Sequence, residues 1–251
     1  MSKSYRVLVL LFVLALAVAV ISGCGEETSA TTAAAGETTT TAATGGAAVP
    51  FKFGAAASFT GQYANYGGSL KGGADIAVAE LNAAGGVNGG EVSYVTGDEL
   101  GDPKEAVLVA QKLIDDPEVL FVDGHMFSGA TLAAGPKYQD AGLPMISPSA
   151  TNPDVTDLGE YIWRVCMTDQ AQGEGLAAYA VTTLGMKKIA IFHSDNDYGK
   201  GLADAFEAAA TAAGGEIVGR EQYTDGDTDF KAQLTKIKDA DPELLFLSGY
   251  Y

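Results

Sequence analysis

The feature that most constrains the fold is a strict alternation of short apolar runs with helical segments. Apolar runs at about 51–58, 91–97, 119–125 and 143–147 alternate with helix-like segments at about 67–84, 103–115 and 129–141. That succession calls for parallel strands joined by crossover helices that cover both faces of a sheet. The punctuation agrees. Asp102-Pro103 suits a helix start, because Pro at the first helical position forfeits no hydrogen bond and Asp can cap, whereas AGG at 84–86 reads as a stop. YIWRVCMTD then crosses over, and a helix at 172–184 leads into KKIAIFHSD, EIVGREQY and ELLFLSGYY, separated by helices near 199–213 and 229–239. The expected architecture is α/β, with two lobes of parallel, doubly wound sheet: 50–166 for the first and 167–251 for the second, which is incomplete. ELLFLSGYY reads as a buried strand with no helix after it to cover it, so the chain is expected to be part of a longer protein.

Two strand ends run from apolar residues into hydroxyls: VLFVDGHMFSGAT (119–131) and LPMISPSATNP (143–153). In parallel sheets such ends open into a crevice, so Ser128, Ser149 and Thr151 are expected to face it. Ser128 stands where the next helix begins. A capping hydroxyl there, with the unpaired first-turn amides, makes a partly positive pocket suited to a carboxylate. The guest this implies is a small acid or zwitterion. Taken singly, Ser128 also reads as a mere cap and SPSAT as a mere turn; their pairing is what points to binding. Tyr66, Tyr198 and Tyr250 fall at strand ends or strand-to-helix junctions, where a ring either projects into the crevice or packs in the core.

The N-terminus bears on location. Lys3 and Arg6 precede an apolar run from Val7 to Ile21, shorter than the ~20 residues of a spanning helix, so residues 1–23 read as a secretory signal. Small residues before Cys24 resemble the lipobox of bacterial lipoproteins, which makes Cys24 the expected lipidated first residue. Residues 24–49 add a Thr/Ala-rich stretch too poor in large apolar side chains to fold, a disordered tether. The mature product is thus expected outside the cytoplasm, held to the membrane by lipid. With 15 Lys+Arg against 32 Asp+Glu the formal charge is −17, and no basic run forms a patch, so nucleic acid is not expected as a partner. The second cysteine, Cys166, has no partner for a disulfide once Cys24 is acylated.

Several sharper constellations fail on inspection. DGDTD at 225–229 begins like a calcium loop, but Phe230 stands where Gly is needed and Lys236 where Glu is needed, so it reads as a capped helix start. Ser128, Asp169 and His193 follow the chain order of a hydrolase triad, yet Met126 replaces the first Gly of G-x-S-x-G. His125 and His193 lack a Cys or carboxylate cluster at ligand spacing, which leaves them as packing or crevice residues and implies no metal. GGVNGG follows a helix instead of opening one, so it is a turn and not a phosphate cradle; no cofactor is expected.

FKFGAAASFTGQYANYG (51–67), AELNAAGGVNGGEV (79–92), GDPKEAVLVAQKLI (101–114), SDNDYGKGL (194–202) and the closing LFLSGYY, with the two strand ends above, occur in an order that resembles the leucine/isoleucine/valine-binding family. These are type I periplasmic binding proteins, the solute-recognising components of ABC importers for branched-chain amino acids. The resemblance covers everything from Phe51 onward. It implies that Tyr66 and Phe127 line the ligand's side-chain pocket from lobe one and that Tyr198 and Tyr250 close on it from lobe two. Ser128, Ser149 and Thr151 would take the α-carboxylate and help with the ammonium. Relatives usually carry a small residue at the position of Ser149, which points to its main-chain carbonyl, and their acidic ammonium contact lies beyond Tyr251. The expectation is a monomeric, non-enzymatic receptor that delivers an aliphatic amino acid to an ABC permease. The alternatives are a same-fold receptor for amides, urea or aromatic acids, a ligand-sensing module and, remotely, a serine hydrolase.

Overall fold

The computed structural model describes residues 48–250. The expected signal, Cys24, most of the tether and Tyr251 lie outside the described residues.

The first sheet has five parallel strands: β1 (Phe51–Ala57), β2 (Val92–Asp98), β3 (Val119–Asp123), β4 (Met145–Ser147) and β5 (Ile162–Arg164), in the order β2-β1-β3-β4-β5. Helices α1 (Ala64–Ala83), α2 (Pro103–Ile114) and α3 (Ser128–Ala141) form the crossovers. The second sheet has three parallel strands, β6 (Lys188–Ser194), β7 (Glu216–Tyr223) and β8 (Leu244–Ser248), in the order β7-β6-β8. It is served by α4 (Asp169–Ala177), which runs on through a wider π turn to Thr183, by α5 (Asp197–Ala212) and by α6 (Lys231–Asp239). YIWRVCMTD, expected only to cross over, contributes the edge strand β5. A strand of three residues is too short for an apolar alternation to show.

Local sequence explains most of these elements. Asp102 caps α2, its carboxylate accepting from the N–H groups of Lys104 and Glu105 with Pro103 at the first position. α1 ends at Ala83 with Ala84 as its cap, and Gly85, Gly86, Asn88 and Gly89 then turn at positive φ, as GGVNGG suggested. β1 alternates across its sheet: Ala55 and Ala57 face Leu70 and Ala74 of α1, while Ala56 belongs to the cluster of Val109, Leu113 and Val122. Small residues let α2 lie close. A Cβ on Gly54 would come within 2.9 Å of the Leu113 methyls, and one on Gly97 within 2.3 Å of a Val109 methyl. From Ile189 onward β6 is buried on both faces, and its central run Ile189–Phe192 is correspondingly apolar. ELLFLSGYY is not fully buried as expected: Phe246 and Ser248 face inward, but Leu245 is 44% and Leu247 62% exposed, the alternation of a strand covered on one face.

The fit at Gly97 is testable. Gly97→Ala should lower the unfolding free energy by about 1–3 kcal/mol through overpacking against Val109, read as a shift in denaturant midpoint at unchanged slope.

Candidate functional site

In both sheets the strand order reverses beside the strand met first, β1 in one and β6 in the other. The loops leaving that strand and its neighbour then part to opposite faces and leave a crevice at their carboxyl ends. Around the first crevice stand Tyr63 and Tyr66 after β1, Phe127 and Ser128 after β3, and Ser149 and Thr151 after β4; around the second stand Tyr198 after β6 and Tyr250 after β8. The two crevices share one cluster of rings. Tyr250 stacks on Tyr198 at 4.9 Å between centroids and meets Phe127 edge-on at 4.8 Å, Tyr63 at 5.7 Å and Tyr66 at 6.1 Å. Between them lies a cavity of about 160 Å³ lined by Tyr66, Phe127, Ser149, Thr151, Tyr198 and Tyr250, together with Met126 and Gly249. That is smaller than the roughly 300–1,000 Å³ of ligand pockets, because the Tyr250 ring stands inside the crevice. A larger cleft, about 840 Å³, lies between α3, the turn after Asn152, α4 and α5, but acidic and alanine side chains such as Asp154, Asp204 and Ala208 dominate it, and the ring cluster is elsewhere.

Six of the seven expected contact residues line the cavity, and the seventh, Ser128, is reached from it through Tyr250. Phe127 is the residue at the cap position of α3, with no side-chain cap, and Ser128 is the first residue within the helix. Its hydroxyl, 1% exposed as a residue, accepts from the Asn152 N–H at 3.3 Å. What Ser128 offers the crevice is its backbone N–H, which the Tyr250 hydroxyl faces. The Ser149 hydroxyl is likewise committed, donating to the Met126 carbonyl at 2.6 Å, which leaves its main chain for a ligand. Thr151 differs: its Oγ1 is shielded from solvent and closes no hydrogen bond.

The Thr151 loop is held rigidly. One Arg164 nitrogen donates to the carbonyls of Thr151 (3.2 Å) and Asn152 (2.5 Å), the other to the carbonyl of Pro153 (2.9 Å) and the hydroxyl of Thr156 (3.0 Å). Opposite, the Asp169 N–H donates to the Thr151 carbonyl at 2.9 Å. The turn after β3 is braced from beneath. Ser147 and Thr131 hydroxyls donate to the His125 carbonyl at 2.5 and 3.1 Å, and the fully buried His125 ring is hydrogen-bonded to Glu99 and, at 3.0 Å, to the Tyr138 hydroxyl.

Residues outside the expected set also reach the site. Burial, and then the Asp225 carboxylate it faces, push the Tyr63 phenol up to about 12. Asp225, expected only at a helix start, accepts from the Ser194 hydroxyl at 2.7 Å and the Asn196 amide at 2.6 Å; the residue that does meet the α6 N-terminus is Asp229, accepting from the Lys231 N–H at 3.1 Å. Alternation with a strand end could have flagged Asp225, but nothing local could pair it with Tyr63. The hydrolase arrangement does not form. His193 donates to the Ser194 carbonyl and accepts from Arg220, while the Ser128 hydroxyl serves Asn152. Among the described residues, no group of three His, Cys, Asp or Glu side chains is placed to hold a metal ion, and no helix is long and apolar enough to cross a membrane.

Comparison with known proteins decides the family: the model described as periplasmic binding protein matches residues 50–250. The chain belongs to the periplasmic binding protein family. It is 37% identical over 206 residues to a leucine-, isoleucine-, valine-, threonine- and alanine-binding protein of Pseudomonas aeruginosa, covering 82% of this chain and 55% of that one. Among solved structures it resembles LivJ of Streptococcus pneumoniae in complex with isoleucine, at 37% identity and a TM-score of 0.74, over 80% of this chain and 57% of that one. A Rhodopseudomonas palustris solute-binding protein in complex with 3,4-dihydroxybenzoic acid is similar at 28% identity and a TM-score of 0.72, over 79% and 54%. The chain therefore spans about half the length of these relatives.

Asp169 generates a stability prediction. Its carboxyl is fully buried, and that burial pushes it from 3.8 up to about 6, with the Thr151 hydroxyl and Arg164 pulling back. A carboxyl raised in the folded state favours folding when protonated, so its contribution is full below the unfolded value and is lost as pH rises through about 6. Asp169→Asn should therefore raise the melting temperature at about pH 7.5, with a gain that shrinks towards about pH 4, by calorimetry.

Proposed function

We propose that the chain is the recognition part of an extracytoplasmic solute-binding protein that receives an aliphatic, branched-chain amino acid and hands it to an ABC importer. In this reading the two sheets are the two lobes, which close on the ligand, and the protein works as a monomer without catalysis. The observation that carries it is the cavity at the shared switch points. Thr151 lines it with a hydroxyl that lacks a partner, and Tyr250, which also lines it, turns its hydroxyl to the Ser128 N–H. The α-carboxylate is assigned to the Ser128 N–H, which no helical carbonyl satisfies and which carries the positive end of α3. The Tyr250 hydroxyl occupies that point and gives way to the ligand. Thr151 and the Ser149 carbonyl serve the polar end of the amino acid, while Tyr66, Phe127, Tyr198 and Tyr250 surround its side chain. Charged side chains are rejected because burial among rings strips their hydration without return. The relatives that bind leucine, isoleucine and valine support this reading.

A second reading is favoured by one observation: Tyr63, Tyr66, Phe127, Tyr198 and Tyr250 could enclose an aromatic acid, and the dihydroxybenzoate-bound relative supports that guest. A thermal-shift screen of leucine, isoleucine, valine and hydroxybenzoates separates the two, since a ligand at ~100 times its dissociation constant adds about 2.7 kcal/mol. Leucine, isoleucine and valine should each raise the melting temperature; a response to benzoates alone would replace the first reading with the second.

The two hydroxyls should differ in calorimetry. Thr151→Ala should weaken leucine binding roughly 10 to 150-fold, the worth of a hydrogen bond to a charged group. Ser128→Ala, which keeps the N–H, should weaken it by less than about tenfold. Equal, unchanged affinities would place the polar end of the ligand elsewhere. Anchoring belongs to the same proposal: the mature protein begins at Cys24 bearing diacylglycerol. Mass spectrometry of the mature N-terminus from a native host should find that adduct, and an unmodified terminus elsewhere would refute it.

A further inference from the structure

Behind the cavity wall lies a carboxyl that the reading above does not use. Asp169 is the first residue of α4, directly after the capping Thr168. Its side chain is fully buried, and neither of its oxygens closes a hydrogen bond. Leaving an acid so placed is costly unless a partner is available in some state of the protein. The candidate that bears on it as a donor is Thr151, whose hydroxyl lies beside the carboxyl, is shielded from solvent and closes no bond elsewhere. α5 roofs the pair. A Cβ on Gly201 would come within 3.1 Å of the Asp169 carboxyl and of the Asn152 amide, so water has little room between them.

We propose that Asp169 is a positioning residue that sets the hydrogen-bond polarity of the Thr151 hydroxyl, and so decides whether that wall of the cavity accepts from the ligand or donates to it. This rests on the cavity being an amino-acid site. An ionised carboxylate can only accept, so it takes the Thr151 proton and leaves the oxygen's lone pairs to receive an ammonium. A protonated carboxyl donates to Thr151 instead. The threonine proton then turns into the cavity and opposes the ammonium, donor against donor. The main chain of Thr151 stays in place in both states, because Arg164 and the Asp169 N–H hold its carbonyl.

The other charged or titratable groups facing Asp169 do not compete for this role. They are Arg164 on β5, Cys166 in the segment after it and Tyr198 on α5. The guanidinium is spent on carbonyls, and burial raises both the thiol and the phenol away from neutrality. Asp169, lifted to about 6, is the group that changes charge near physiological pH.

Two measurements on this chain test the inference. The first needs no ligand. Carbon-13 NMR of the aspartate carboxyls should find one group titrating near 6 that vanishes in Asp169→Asn and rises further in Thr151→Val, which removes the hydroxyl that lowers it. An Asp169 in the ordinary carboxylate range, or one unmoved by Thr151→Val, would overturn the coupling. The second is leucine affinity by calorimetry. Binding should weaken about tenfold from about pH 7.5 to about pH 5 as one charge-assisted hydrogen bond is lost, and Asp169→Asn should flatten that profile. A purely structural role would shift affinity equally at both pH values. A flat profile in the unaltered chain, or a retained step in Asp169→Asn, would reject the polarity assignment. Absence of leucine binding alongside the expected NMR titration would defeat the amino-acid reading and leave the Thr151–Asp169 coupling standing.

Discussion

Parallel pairing is the constraint on which the rest depends. When every strand of a sheet runs one way, every carboxyl end lies at one edge, and the loops that leave there are free of the hydrogen bonding that fixes the strands. With the orders β2-β1-β3-β4-β5 and β7-β6-β8, each sheet also has a reversal point, and at these points the chain places hydroxyls, amides and aromatic rings instead of core residues. Ser149 and Thr151 after β4, Tyr198 after β6 and Tyr250 after β8 come from three strand ends far apart in sequence and reach one cavity because the sheets bring those ends together.

Rigidity of the site comes from buried polar bracing more than from apolar packing. Arg164 holds the 151–153 carbonyls and the His125 group supports the turn after β3, so both hydroxyl-bearing loops are fixed by charge-assisted or fully buried hydrogen bonds. Such networks are costly to leave half satisfied. Among the described residues Glu99 Oε1, in the His125 group, and Gln172 Nε2, on α4, also lack a partner, as do the Thr151 hydroxyl and the Asp169 carboxyl; of these four residues Thr151 is the one that lines the cavity. Unmet capacity at a cavity wall is where a ligand's own polar groups have most to offer.

The aromatic cluster has a different physical character. Its rings meet edge-on, tilted or stacked at 4.8 to 6.3 Å, contacts that are favourable but soft and tolerant of rearrangement. Tyr250 can thus stand in the crevice against Tyr198 and Phe127 without a rigid commitment, apart from its hydroxyl facing the Ser128 N–H. A hard polar wall with a soft aromatic one discriminates strongly on charge and weakly on hydrocarbon shape, since one methylene is worth only about 0.8 kcal/mol.

The sequence by itself determined the succession of strands and helices, the parallel α/β class and the strand ends that carry the site, because these follow from period, caps and turns acting within a few residues. Asp102 capping α2 and the GGVNGG turn needed nothing beyond their neighbours. Tertiary structure decided which atom of each site residue is available. Ser128 offered a hydroxyl and a first-turn N–H alike until Asn152, distant in sequence, engaged the hydroxyl oxygen; Asp169 was only the last residue of the crossover YIWRVCMTD until burial beside Thr151 raised its carboxyl. Strand β5 and the pairing of Tyr63 with Asp225 were likewise invisible, since each depends on a neighbour supplied by another part of the chain. Hydrogen-bond commitment and desolvation are properties of the packed molecule, and no local pattern encodes them.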